Sequence, residues 1–279
     1  MPGPKHLDPS SSPRALLGAE LRVARERAGL TQAELAERLF VSGSFIGQLE
    51  AGTRRMRSDI ARQIDEVLQT DGFFARNCGA VAKSKYPDHF AAAAEAEALA
   101  KTIREYAPLI IPGLLQTAAY ARAICRAYQP TATEEVIEEL VSNRLERAML
   151  LGNPTTPMFW CVLDEAVLRR EVGSPAIMAK ALRRIMTLIR CNRVVTQVLP
   201  FKAGAHASMG GSLQLMHFED APPLVYAQGN GTGQLLDDPA EVARHSLTYD
   251  LLTANALSPR ESLALIESAA EDYEHDEHA

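Results

Sequence analysis

Over the first seventy residues, apolar positions recur at the three-to-four spacing of amphipathic helices, and short polar or glycine breaks separate the segments. Leu17, Leu21 and Ala24 mark a first helix, which leaves Arg22, Arg25 and Arg27 near its other side and stops at Gly29. Thr31 with Glu34 three residues later forms a capping box, because hydroxyl and carboxylate each accept from the other's backbone N–H at a helix start. Leu35, Ala36 and Leu39 supply the buried stripe of that second helix. Ser42 can cap a third helix that buries Phe45, Ile46 and Leu49 and ends at Gly52. A fourth, Asp59 to Leu68, buries Ile60, Ile64, Val67 and Leu68, and Phe73-Phe74 begin one more turn or helix.

Beyond residue 77 the pattern changes. The stretch SKYPDHFAAAAEA at 84–96 reads as a hinge or a stiff helical connector. Helical spacing then covers Ala96 to Tyr106, Leu114 to Tyr128, Thr133 to Leu151, Ser174 to Cys191, Pro239 to Ala254 and Pro259 to Tyr273. Strand-like runs alternate with these helices at Met158 to Leu163, Val194 to Leu199, Leu213 to Phe218 and Leu224 to Ala227, with a candidate fifth at Gln234 to Leu236. The expected architecture is two domains: an all-α helix-turn-helix of four to five helices, then an α+β domain with a four- or five-stranded sheet. The expected boundaries are a small helical domain over 14–76, a linker or connector helix over 77–96, a larger domain over 97–273 and an acidic tail over 274–279.

Charge refines this picture. Residues 1–76 carry 11 Lys/Arg against 10 Asp/Glu, and the remainder 18 against 25, so the net −6 is +1 in the first part and −7 in the rest. An acidic body is repelled by phosphate, and any DNA contact must come from a local basic face near the N-terminus. The last fifteen residues hold six acids and neither Lys nor Arg, which reads as a solvated tail. Cys78, Cys125, Cys161 and Cys191 are far apart, without a CxxC pair, and suggest neither a metal knuckle nor a disulfide framework. No apolar run has the length of a membrane span, and the first residues lack a signal peptide's apolar core, so the cytoplasm is the expected compartment.

The segment TQAELAERLFVSGSFIGQLEAG closely resembles the helix-turn-helix of the phage-repressor and Cro family, also called the XRE family. Gln32, Ala36, Val41, Ile46, Leu49, Glu50 and Gly52 fall where that family places its cap, tight contacts and helix stop. The resemblance implies a lambda-repressor-like fold with Gln32 on a phosphate and Ser42, Gly43, Ser44 and Gln48 at base edges. Gln suits a bidentate contact to adenine. Gly43 departs from the larger polar side chains frequent at that position and shifts weight to Gln48 or to DNA shape. Thr53, Arg54, Arg55 and Arg57 follow as a basic loop where a DNA strand would pass, with Arg25 as a further phosphate candidate.

The chain from about Glu95 onward is also similar, block by block, to the effector domain of the actinobacterial WhiJ-like regulators, which include AbaA-type and Scr1-type proteins. The blocks are IIPGLLQTAAYARA at 110–123, VLDEAVLRR at 162–170, VLPFKAGAH at 198–206, DDPAEVAR at 237–244 and LSPRESLALI at 257–266. What this resemblance implies is a regulator of development or specialised metabolism working with a small partner protein of the BldB-like type. The expected function is a sequence-specific DNA-binding regulator, a repressor, acting as a homodimer on an operator. Two alternatives stay open: an antitoxin-like protein that neutralises a small partner, and a small-molecule-responsive regulator.

In the C-terminal part, Asp164 reads as a helix cap or as one of two paired acids, and His206, eleven residues before His217 with Ser208 between, as a ligand or nucleophile partner. Asn230, within the Gly229 to Gly233 run, lacks the lysine of a phosphate loop and reads as part of a hairpin turn. These three are partner or ligand candidates. No enzyme activity, cofactor or metal is expected.

Overall fold

The computed structural model describes residue 9 and residues 13–78, 88–155, 157–229 and 232–276. The chain divides into two compact units: Met1–Ala100 with Met216–Val225 and Gln234–Ala243, and Lys101–Leu215 with Tyr226–Gly233 and Arg244–Ala279.

In the first unit, α1 (Pro13–Arg27), α2 (Gln32–Arg38), α3 (Gly43–Glu50), α4 (Ser58–Leu68) and α5 (Phe73–Asn77) surround one core. Leu21, Leu35, Ile46, Ile64 and Phe74 lie at its centre. Both anticipated caps form: Thr31 and Glu34 exchange backbone N–H bonds in a capping box, and Ser42 Oγ accepts from Phe45 N at 3.0 Å. Gly18 lets α1 approach the end of α3, since a Cβ there would sit 2.6 Å from the Leu49 carbonyl oxygen. Asp65, buried on α4, accepts from Phe74 N at 3.0 Å and Ala75 N at 2.8 Å, supplying the partners that the first amides of α5 otherwise lack. The alanine run lies in α6 (Asp88–Leu99).

Six strands form one sheet in the order β3-β2-β1-β4-β5-β6. They are β1 (Thr102–Ala107), β2 (Met158–Asp164), β3 (Val194–Leu199), β4 (Ser212–His217), β5 (Leu224–Gly229) and β6 (Thr232–Leu236). β1, β2 and β3 are parallel, with Tyr106 level with Val162 and Leu163 level with Val198. Parallel neighbours need long crossovers. α7 (Ala118–Tyr128) and α8 (Glu134–Ala148) supply the first, and α9 (Glu165–Arg169) and α10 (Pro175–Arg190) the second. Ala121, Cys125, Ile137 and Val141 pack together between α7 and α8. The α+β class is as expected, with one strand more than the four or five anticipated. That strand is β1, where helical spacing had been read through to Tyr106.

α11 (Pro239–Asn255) and α12 (Pro259–Asp276) complete the chain. α12 packs against α10 and β3, and Ser262 Oγ accepts from Val198 N at 2.8 Å while donating to the Leu257 carbonyl at 3.3 Å. The expected acidic tail is therefore helix as far as Asp276. Its acids meet arginines: Glu274 pairs with Arg183 at 2.7 Å, Glu267 with Arg190 at 2.9 Å and Asp272 with Arg169 at 3.2 Å.

Candidate nucleic-acid interface

The geometry begins with two helices and a tight turn. Leu39 closes α2, Phe40 takes a left-handed conformation at φ 55°, and the Val41 amide donates to the Ala36 carbonyl at 3.0 Å before Ser42 starts α3. Behind the turn, Glu50 is fully buried at the end of α3 and accepts from Arg25 Nε at 2.5 Å and Arg25 Nη2 at 3.1 Å. Arg25 also donates to the Leu30 carbonyl at 2.7 Å. The hydrogen bond with Glu50 holds the guanidinium pKa above its ordinary value. The exposed Gln32 joins the same carboxylate, Nε2 to Oε2 at 2.8 Å. One buried carboxylate thus ties α1, α2 and α3 together. Arg25, a phosphate candidate from sequence, has its guanidinium engaged inside the domain.

The other candidates sort by burial. Ser42, Gly43 and Ser44 are half-buried at the start of α3. A Cβ on Gly43 would meet only Ala33 backbone atoms, at 3.7 and 3.9 Å, so packing there does not demand a glycine. Gln48 is 0% exposed, accepts from Arg54 Nη1 at 3.3 Å, and its Nε2 makes no hydrogen bond. Thr53 is buried and donates to the Gln48 carbonyl at 3.2 Å. Arg54 stacks over the Phe45 ring at 4.5 Å and pairs with Asp237 at 2.5 Å. Burial lowers its pKa, and Asp237 opposes that shift. Arg55 is half-buried. Arg57 is exposed and forked onto Asp59, at 3.1 and 2.8 Å. The electrostatic character of this face is a short basic loop, Arg54 to Arg57, beside a helix whose outer residues are small or neutral.

Of the three candidates from the C-terminal part, the structure brings two together. Asp164 caps α9 by accepting from Ala166 N at 2.9 Å. Its other oxygen accepts from Tyr106 Oη at 3.1 Å, and Tyr106 Oη lies 3.1 Å from His206 Nε2. His206 Nδ1 accepts from Ser208 N at 3.2 Å, so the proton of the neutral ring sits on Nε2 and is donated to the tyrosine oxygen. Burial first, and the charge of Asp164 second, push the Tyr106 pKa well above the ordinary tyrosine range. The chain Ser208, His206, Tyr106, Asp164 is a closed relay at the C-terminal ends of β1 and β2, and every polar atom named in it has its partner. Sequence spacing missed Tyr106 because β1 was read as helix. Asn230 lies outside the described residues.

Comparison with known proteins finds two matching regions. Residues 16–72 match a profile described as a helix-turn-helix domain, which together with the turn geometry points to a DNA-binding regulator. Residues 90–268, more than half of the chain, match the family described as "Domain of unknown function (DUF5753)", and the chain belongs to that family. No curated protein and no solved structure matches it. Among the described residues, no helix is long and apolar enough to cross a membrane.

Proposed function

We propose that this chain is a sequence-specific transcriptional repressor that places α3 in the major groove of an operator as one half of a homodimer. The α2–α3 turn, held by the Arg25–Glu50–Gln32 network and followed by the Arg54 to Arg57 loop, carries this reading. Ser42, Gly43, Ser44 and Gln48 read base edges, Gln48 most directly. Gln32, Thr53, Arg54, Arg55 and Arg57 lie along the phosphates. The blocks shared with WhiJ-like regulators support a role in development or specialised metabolism, with the C-terminal part tuned by a small BldB-like partner protein.

Genome-wide recovery of DNA bound by the full chain, with and without the gene of a neighbouring small protein, tests this reading. A shared motif whose two half-sites lie about 34–36 Å apart, or a multiple of that, is the expected result. Recovery no richer than from a strain lacking the chain would overturn it. In the recovered operator, Gln48→Ala should flatten discrimination at one base position by about 1–3 kcal/mol while leaving binding to unrelated DNA unchanged.

A further inference from the structure

The later half of α3, beside the half-buried Ser42, Gly43 and Ser44, has close partners from distant parts of the chain. Gly47 is buried, and a Cβ built on it would lie 3.5 Å from Cγ and 3.7 Å from Cδ of Pro222, which sits between β4 and β5. Gln48, one residue on, is fully buried. Arg54 is held at 2.5 Å by Asp237, which sits between β6 and α11, and each of these two side chains is only 18% exposed. Asp238 caps α11 through Ala240 N and Glu241 N, at 3.0 and 3.1 Å, and so anchors the turn that presents Asp237. Met216–Val225 and Gln234–Ala243 belong to the same compact unit as the helix-turn-helix.

Two features mark these contacts as a substitute for DNA rather than ordinary core. A guanidinium on a DNA-binding loop takes a carboxylate with the same donors it would offer to a phosphate. Gln48, moreover, is buried with its Nε2 unsatisfied, a donor that a base edge would accept. We propose that the loops carrying Pro222 and Asp237 form an autoinhibitory cover over the DNA-reading face, with Asp237 occupying Arg54 in place of a phosphate. DNA binding then requires both loops to withdraw from α3, and whatever favours the withdrawn state acts as inducer or co-regulator by population shift. This inference rests on the assignment of α3 as the DNA-reading helix.

The test measures the affinity of the full chain, at low salt, for a labelled pool of random-sequence duplexes. Asp237→Asn removes the competing charge at nearly constant shape and should bind about tenfold more tightly than wild type. In a Cys191→Ser background, Gly47→Cys with Pro222→Cys should cross-link on oxidation. The oxidised form should then lose DNA binding, and a reductant should restore it. Asp237→Asn binding no better than wild type, while Arg55→Ala with Arg57→Ala weakens both, would show an intact DNA site and sink the cover. Equal binding by oxidised and reduced double-cysteine protein would do the same. Failure of every form to bind, reduced protein and Asp237→Asn included, overturns the DNA-reading assignment itself and this inference with it.

Discussion

At the scale of single residues, the helix-turn-helix rests on one buried charge and one strained turn. Glu50 has no exposed surface and receives two bonds from Arg25 and one from Gln32. Replacing it by Gln keeps the shape but leaves the largely buried Arg25 guanidinium with only the exposed Glu26, at 3.5 Å, as counter-charge. Breaking such a pair costs about 3–5 kcal/mol, because the desolvated partner stays behind. Glu50→Gln should therefore lower the unfolding midpoint of the N-terminal domain in a thermal melt, and a melt unchanged within error would refute the role given to Glu50. Phe40 behaves in the opposite sense. It is 95% exposed and holds φ 55°, so its ring contributes little burial while its Cβ bears the left-handed strain. Phe40→Gly should stabilise the domain by about 0.5–1 kcal/mol, read as a higher denaturant midpoint with an unchanged slope.

At the scale of elements, legibility followed locality. The caps of α2 and α3 and the glycine after α3 are fixed by residues three or four positions apart, and the structure realises them where the spacing indicated. β1 was not legible. No glycine or proline separates it from α6, and its burial runs irregularly rather than in alternation, because it lies between β2 and β4. Pairing with β2, more than fifty residues away, decides its conformation. The acids of α12 were misread for the same reason, since their arginines lie far upstream on α9 and α10. In the candidate interface, the identities of Gln48 and Arg54 were visible in the sequence. The contacts of Gly47 with Pro222 and of Arg54 with Asp237 were not, because these partners come from some 180 residues further on. β1 also brings Tyr106 to Asp164 and His206, and a prediction belongs to that junction. Tyr106→Phe removes one hydroxyl and leaves a carboxylate oxygen and an imidazole N–H short of a partner, at about 1–3 kcal/mol. A lowered melting midpoint with the far-ultraviolet spectrum intact is expected, and a neutral effect would mean that Asp164 and His206 bridge directly.

At the scale of the whole molecule, charge decides how the chain can meet DNA. The first 76 residues are +1 and the rest −7, so the bulk of the chain's charge repels a duplex, and on the proposed reading the Arg54 to Arg57 loop is what attracts it. Gln32, Ser42, Ser44, Gln48 and Thr53 are neutral and release no counterions on contact. In the proposed complex each subunit would bring about three guanidinium contacts, from Arg54, Arg55 and Arg57. With a salt slope of about −0.9 per neutralised phosphate, one subunit should give about −3 and a dimer on two half-sites about −5. Titrating operator affinity against potassium chloride separates the two. Arg55→Ala with Arg57→Ala should flatten the dimer slope by roughly four, two contacts in each subunit, while base preference stays intact. A slope near zero in the wild-type chain would mean that the basic loop does not touch the backbone. A slope of about −3, with a single half-site protected, would retain the groove assignment and remove the dimer.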